Sequence, residues 1–524
     1  MIRRLAAAAV LGGAVALLGQ SCPARAAELR VGLPDATTSL DPLFYVAGSN
    51  TQIALNIYDS LMRQDARQKL VPALATAWVP LDDITWDVTL RADVTFQDGT
   101  KFGPEDVIAS IRHAATVQGS ASSFKPYTAG IADMQVAGPG HVRIRTKAPW
   151  PLLPNDLSRI SIIPRAQQDA PQSDFDGDKV VGTGPFRLVS WQRGASVVVA
   201  RNPAYWGGAP AWEKVTFRSI ADPGARVAAL LAGDVDVIAA VPSDAQATVA
   251  AGRQAQVVGT EGNRLIYLHL DSNREVTPFA RDAAGQPLPH NPLKDARVRR
   301  ALSLALNRTA LVERVMSGQG SPAGQFMPAG YFGYDPTIPA PAYDVAQARK
   351  LLAEAGYPDG FFLTLHGPND RYPNDAKLLQ AIAQQFTRIG VKTAVDALPG
   401  ASFFTRASKL EFSAIMGGAA IETGEPTGIL NPLLATYDAA KGAGTGNRGR
   451  WSNAQFDALL AQAYRTFDNP AREALLQQAS RVAVQDVGVI PVLFLEQSWG
   501  LRHGFTYAPR SDGYTLAIDV KAAK

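Results

Sequence analysis

The sequence predicts a mixed protein, α/β or α+β in its lobes, large enough for two or three domains. Three observations carry this. The chain has 524 residues, more than one ordinary core organises. A hydrophobic share of 46% and a charged share of 19% belong to a folded globular chain rather than a disordered one. Alternating strand-type runs and helix-type runs at 3–4 spacing succeed each other along the whole length, with 45 Gly and 36 Pro for the turns between them.

The elements follow in order. Arg3 and Arg4 form a basic start, and 5–18 is an apolar run too short to span a bilayer. Ala24, Arg25 and Ala26 fit the A-x-A cleavage rule, so 1–26 reads as a secretory signal peptide and Ala27 as the mature start. Cys22 leaves a lipid anchor open as an alternative, although Gly19 stands where a lipobox carries a larger apolar residue. No later run of about 20 apolar residues appears, so the mature chain is expected to be soluble. "TWDVTLR" (85–91) alternates and reads as a strand; Asp98-Gly99 is a turn. Pro104 then opens a helix with Glu105 and Asp106 in its first turn, where the helix dipole favours acids. "HVRIRT" (141–146) is another strand, and 186–191 with 196–202 make a hairpin across "QRGA".

From about 295 the texture is more helical. Residues 295–316 carry apolar positions at helical spacing. Asp344 caps a helix that Gly356 stops. A helix over 375–390 leads into the strand "VKTAVDA"; helices over 452–467 and 469–486 precede a strand-like return over 487–502. No fixed-period repeat is visible.

Charge and cysteine usage narrow the function. The formal charge is +4, but Arg3, Arg4 and Arg25 lie in the leader with no acid, so its removal leaves +1. No Lys/Arg run marks a nucleic-acid surface. Cys22 is the only cysteine, so a chain cleaved after Ala26 has no disulfide, no thiolate metal ligand and no Cys nucleophile. There is no H-E-x-x-H and no G-x-S-x-G, and no two of the six histidines share helical ligand spacing, so no zinc site is expected. Residues 444–449 fit G-x-G-x-x-G in letters only. The preceding "LLATYDAA" is not a buried β-run, and the next helix begins beyond the match, so the context of a dinucleotide loop is missing. The match reads instead as a flexible glycine-rich loop. The pair in "VGTGPF" (181–186) leads into a hairpin and lacks the Lys-Ser/Thr of a P-loop. With no catalytic residue, metal or cofactor indicated, a binding protein is favoured over an enzyme.

Eight segments in order carry a family resemblance: "SLDP" (39–42), "IYDSLMRQD" (57–65), "LVPALATAW" (70–78), "TWDVTLRADVTFQDGTKFGPEDVIASI" (85–111), "GTGPFRLVSWQRGASVVVARNPAYWGG" (182–208), "VRRALSLALNR" (298–308), "AQARKLLAEAGYPDG" (346–360) and "IPVLFL" (490–495). Together they resemble the peptide/nickel-type (family 5) extracytoplasmic solute-binding proteins of ABC importers, a family that includes dipeptide- and oligopeptide-binding proteins. The resemblance implies a two-lobed periplasmic-binding-protein fold with three subdomains and a ligand cleft between lobes joined by a hinge. Lobe I would take 27–275 plus 488–524, with an inserted subdomain at about 60–185, and lobe II 276–487. The protein would work in the periplasm as a monomer without cofactor, delivering its ligand to inner-membrane ABC permease subunits.

The resemblance also locates a site. In peptide binders an aspartate four residues before a proline meets the ligand's amine; here Glu422 precedes Pro426 by four, and Gly418, Ala419 and Ala420 lead into it, with Ala419 at the usual tryptophan position. Glu425 is a weaker candidate. Val46, Ala47 and Gly48 match residues whose backbone bonds the ligand main chain as a strand does. Arg371 matches the arginine that clamps a ligand carboxylate, a role suited to a bidentate guanidinium. Asn447 and Arg448, in the glycine-rich loop, are further candidates. The set implies a peptide-like or zwitterionic solute. A metal chelate, an oligosaccharide, an opine, a peptide-chaperone role, or a periplasmic enzyme on the same scaffold stay as alternatives, because fold does not fix function.

Overall fold

The computed structural model describes residues 27–339 and 342–523, so the signal peptide and Cys22 lie outside the described residues. Among the described residues no helix is long and apolar enough to cross a membrane.

A twelve-stranded sheet runs through the molecule. From one end its main path is Phe186–Gln192, Ser196–Arg201, Lys214–Ser219, Glu28–Leu33, Val237–Ala239, Ile490–Arg502, Ala255–Leu270, Ala414–Ala420, Phe361–Pro368 and Ala280–Arg281. Gly320–Pro322 pairs with Ile490–Arg502, and Val391–Leu398 lies parallel to Phe361–Pro368. Glu28–Leu33 is parallel to both neighbours, and its Leu29, Val31 and Leu33 enter a core with Phe217, Val237, Trp499 and Val520. The expected hairpin is present over Phe186–Gln192 and Ser196–Arg201.

A separate four-stranded antiparallel sheet, in the order Ala75–Asp82, Thr85–Leu90, His141–Thr146, Ile131–Gly138, forms the inserted unit. Trp86, Val88 and Leu90 alternate inward against Val107 and Ile111 of helix Pro104–Thr116. The Asp of "SLDP" ties the N-terminal segment to this helix. Asp41 accepts from Leu43 N (2.9 Å) and lies 3.1 Å from buried His113 Nε2.

On the other side of the molecule, helices Val345–Glu354 and Asp375–Arg388 cover the sheet over Leu268, Leu302, Leu352, Leu365, Phe386 and Met416. Asp344 caps the first of them by accepting from Gln347 N at 2.8 Å. Helices Thr427–Leu434, Ala454–Ala463 and Asn469–Gln485 enclose a neighbouring core of Phe326, Leu430, Phe456, Leu476 and Phe494. The two sides are thus two lobes, each with its own buried apolar clusters. The antiparallel ribbon Ala255–Leu270 with Ile490–Arg502 belongs to both, and its register breaks between Glu261 and Leu265.

Two expectations change. The helical run over 295–316 is not continuous: helix Ala296–Leu304 ends, and a new turn, Arg308–Ala310, passes into a π-helical turn Leu311–Val315. The cause is local. Asn307 Oδ1 accepts from Ala310 N (2.9 Å) and restarts the chain, while buried Arg308 gives its guanidinium to the carbonyls of Pro491 and Ser303. The glycine-rich loop is packed rather than loose: buried Asn447 donates to the carbonyls of Ala435 (3.0 Å) and Trp451 (2.8 Å). A helix, Thr427–Leu434, and not a strand, precedes that loop.

Candidate functional site

A cavity of about 1650 Å³ opens between the lobes. On the lobe I side its wall is built from the turn after Glu28–Leu33, the approach to helix Gly48–Ile57, Arg159 just beyond helix Leu153–Leu157, and Tyr514 near the C-terminus. On the opposite side it is built from Arg264 of the shared ribbon, the segment after strand Ala414–Ala420, and residues 371–374 with Lys377. Sheet register makes this convergence: Arg264 stands opposite Ala420, two residues before Glu422.

Glu422 faces the cavity and forms an ion pair of 3.1 Å with Arg159 Nη2. The Arg159 side chain is only 6% exposed, and Nη2 also reaches the Tyr514 hydroxyl at 3.5 Å. Burial works against its charge, but Tyr514, Glu422 and Tyr127 outweigh that and raise its pKa. The Glu422 side chain is 40% exposed, so one face of the carboxylate is open to a ligand. The backbone carrying it is held from the inserted unit. Gln64 Nε2 donates to Glu422 O (3.1 Å), Gln68 Nε2 to Ile421 O (2.6 Å) and Asn155 Nδ2 to Thr423 O (3.1 Å). Gly424 has φ +69°, where a Cβ would stand 2.4 Å from Gln68 O; no other residue fits that crossing.

Arg371 lines the cavity as an exposed guanidinium 5.7 Å above the Tyr372 ring. Its backbone is fixed by Asp375 Oδ2, which accepts from Arg371 N and Tyr372 N at 2.9 and 3.0 Å. The Tyr372 hydroxyl donates to Gly418 O (3.2 Å), and a Cβ on residue 418 would meet that ring at 2.8 Å. Gly418 therefore admits Tyr372 rather than touching the cavity. Nearby, Asn374 Nδ2 donates to Ser243 Oγ (3.1 Å), a bond across the cavity rim.

The remaining candidates separate cleanly. Val46, Ala47, Gly48 and Ala420 line the cavity. Part of the first group's backbone is already engaged, however. Val46 N donates to Ser122 O (2.8 Å), and Ala47 O accepts from Asn50 N and Thr51 N (3.1 and 2.9 Å). Helix Gly48–Ile57 has no side-chain cap, so its N-terminus borders the cavity uncapped. Ala419 points away, packed with the Phe326 and Leu430 cluster. Asn447 and Arg448 are not on the cavity wall: the Asn447 amide is spent on the two carbonyls above, and Arg448 lies over Phe404 beside Ser408. Glu425 is buried against Arg472 (2.6 Å), and burial raises its pKa to about 7.

Arg159, Arg264, Tyr372 and Tyr514 escape a reading of the sequence. Only Arg264 leaves a trace there, as a permanent charge inside the otherwise strand-like run "NRLIYLHL". Among the described residues no three His, Asp, Glu or Cys side chains converge as metal ligands.

Comparison with known proteins places the chain. The model of "Bacterial extracellular solute-binding proteins, family 5 Middle" matches residues 69–441. The glutathione-binding protein GsiB of Salmonella typhimurium is 30% identical over 480 residues, covering 90% of each chain. Among solved structures, HbpA2 from Haemophilus parasuis superposes with a TM-score of 0.80 at 24% identity, over 95% of this chain and 100% of that one. The binding protein AgaA from A. tumefaciens R10, solved with agropinic acid, gives 0.73 at 25% identity over 95% and 99%. The chain belongs to the bacterial extracellular solute-binding proteins of family 5, the substrate-binding components of ABC importers, and is a binding protein rather than an enzyme.

Proposed function

We propose that the protein captures a peptide-like zwitterionic solute in the periplasm and presents it to ABC permease subunits in the inner membrane, as a monomer released from its leader after Ala26. The observation that carries this is the placement of opposite charges on one cavity wall. Glu422 is the group for a ligand ammonium and Arg371 the group for a carboxylate, with Ala420 near Glu422 and Val46, Ala47 and Gly48 on the facing wall as small or backbone surfaces. Charge-assisted bonds of this kind are roughly twice as strong as neutral ones and fix orientation. At about 1650 Å³ the cavity exceeds the usual range of a small-molecule pocket, roughly 300–1,000 Å³, and suits a ligand larger than a single amino acid. The GsiB relatives are glutathione-binding proteins, and glutathione is a tripeptide with a free ammonium, which supports the same reading. The lobes, 27–275 plus 488–524 and 276–487 with the inserted unit at about 60–185, would close on the ligand by hinge motion.

The test is a thermal-shift screen of residues 27–524 against di- to pentapeptides, glutathione, opines, metal chelates and oligosaccharides. Opines belong in it because AgaA was solved with agropinic acid. A ligand at a hundredfold excess over its Kd stabilises the folded state by about 2.7 kcal/mol. A peptide-like hit lost in Glu422→Ala is expected. Hits only among solutes without an amine, unchanged by that substitution, would sink the zwitterion reading.

A further inference from the structure

Resting on the zwitterion reading of the same cleft, we propose that Arg264 is a specificity-determining residue for a second ligand carboxylate. The preferred solute then carries one ammonium and two carboxylates.

The chain shows how it treats an arginine that serves the fold. Arg226 gives its guanidinium to the carbonyls of Ile220, Ala239 and Ala240. Arg299 gives its own to Leu293, Lys294, Asp486 and Val487, and Arg308 to Ser303 and Pro491. In each case neighbouring acceptors satisfy the donors, as burial of a charge requires. Arg264 is treated differently. It stands on an interior strand, between Ala414–Ala420 and Ile490–Arg502, and is half-buried. Among the described residues its guanidinium has neither an acid within 4 Å nor a carbonyl acceptor, and it faces the cavity. Burial and the like charge of Arg371 lower its pKa, with Glu422 the favourable charge nearby.

Asp35, Asp244, Glu496 and Asp512 also line the cavity, but Glu422 is the carboxylate whose charge acts on Arg264, and it already pairs with Arg159. Arg159 is itself unfinished: among the described residues its Nε has no partner, although the side chain is only 6% exposed. Among the described residues Arg264 and Arg371 are in no ion pair. A simple zwitterion brings a carboxylate to one of them and leaves the other desolvated beside a like charge when the lobes close. A second carboxylate on the ligand removes that cost, and its five-donor planar partner holds it bidentately.

The experiment is calorimetric titration of residues 27–524 with two probe pairs that differ in one carboxylate at constant size: Ala-Glu against Ala-Gln, and Ala-Glu-Ala against Ala-Gln-Ala. In at least one pair the acidic peptide is expected to bind more tightly by about tenfold or more. Arg264→Gln should bring that ratio close to one, by weakening the acidic peptide, by tightening its neutral partner as the desolvated charge is removed, or by both. Arg264→Lys, which keeps a charge but not the fork, should restore part of the preference, as a general collapse of the pocket would not. Equal affinities within both pairs, or a preference that survives Arg264→Gln, would overturn the proposal and leave the zwitterion reading standing. Failure of all four peptides alongside binding of amine-free solutes would overturn both.

Discussion

Glu422 and Arg159 are 3.1 Å apart, one half-open to the cleft and the other nearly enclosed, so substitutions at the two have unequal consequences. Glu422→Gln keeps the shape and removes the charge offered to an ammonium. Although the carboxylate is 40% exposed, Arg159 is nearly enclosed, so the variant leaves a buried guanidinium short of its ion pair and is expected to lose about 1–3 kcal/mol when unliganded. Binding of amine-bearing peptides should fall by about ten- to a hundredfold on the same variant. Melting curves and calorimetry on one preparation separate the two effects. Asp156 supplies a pH test at the same scale. Burial raises its pKa from 3.8 to about 8, the Trp150 indole N–H opposes the shift, and Glu425 adds to it. A raised carboxylate pKa means that the folded chain holds a proton which the unfolded chain has released, so this group costs stability as pH rises from about 4 to about 8 and adds no further cost above that. Asp156→Asn should flatten the decline, read as midpoints at pH 5, 6, 7 and 8; an unchanged decline would remove Asp156 as its source.

The segment 421–424 is the element on which the site depends. Its shape is set by donors from the inserted unit, Gln64, Gln68 and Asn155, and by the left-handed turn at Gly424. Gly424→Ala places a Cβ 2.4 Å from Gln68 O at φ +69°, which should cost about 1–3 kcal/mol in unfolding experiments and weaken peptide binding as Glu422 shifts. This element also shows what the sequence makes legible. Strand Thr85–Leu90, helix Pro104–Thr116 and the Asp344 cap are readable because alternation, first-turn acids and capping are local signals. Glu422, which lines the cavity, is singled out in the sequence only through the family resemblance and its spacing to Pro426. The Arg159 partner is not, since its meeting with Glu422 is decided by lobe packing, and the facing of Arg264 and Ala420 is decided by sheet register. Asn447 misleads for the complementary reason. A polar residue among glycines suggests a mobile tip, and only the tertiary fold supplies the Ala435 and Trp451 carbonyls that absorb its amide.

At the scale of the molecule, the ribbon Ala255–Leu270 with Ile490–Arg502 is shared by both lobes, and its register break between Glu261 and Leu265 lies beside the cavity wall at Asn263 and Arg264. A bend concentrated there would move the Arg264 and Arg371 side of the cleft against helix Gly48–Ile57, about the contact that Glu422 already makes with Arg159. Small-angle scattering is therefore expected to show a smaller radius of gyration with a bound peptide than without it, and an unchanged radius would argue against closure. The two-lobe organisation is accessible from the order of eight segments along the chain; the continuity of one sheet through both lobes is not, because its neighbours are strands far apart in sequence. Everything proposed for the cleft turns on recognition of a ligand ammonium by Glu422. Calorimetry of Ala-Glu against N-acetyl-Ala-Glu, on the parent and on Glu422→Gln, decides it. Acetylation should weaken binding to the parent by about tenfold or more and have little effect on the variant; equal binding of the two peptides to the parent would refute ammonium recognition at this site.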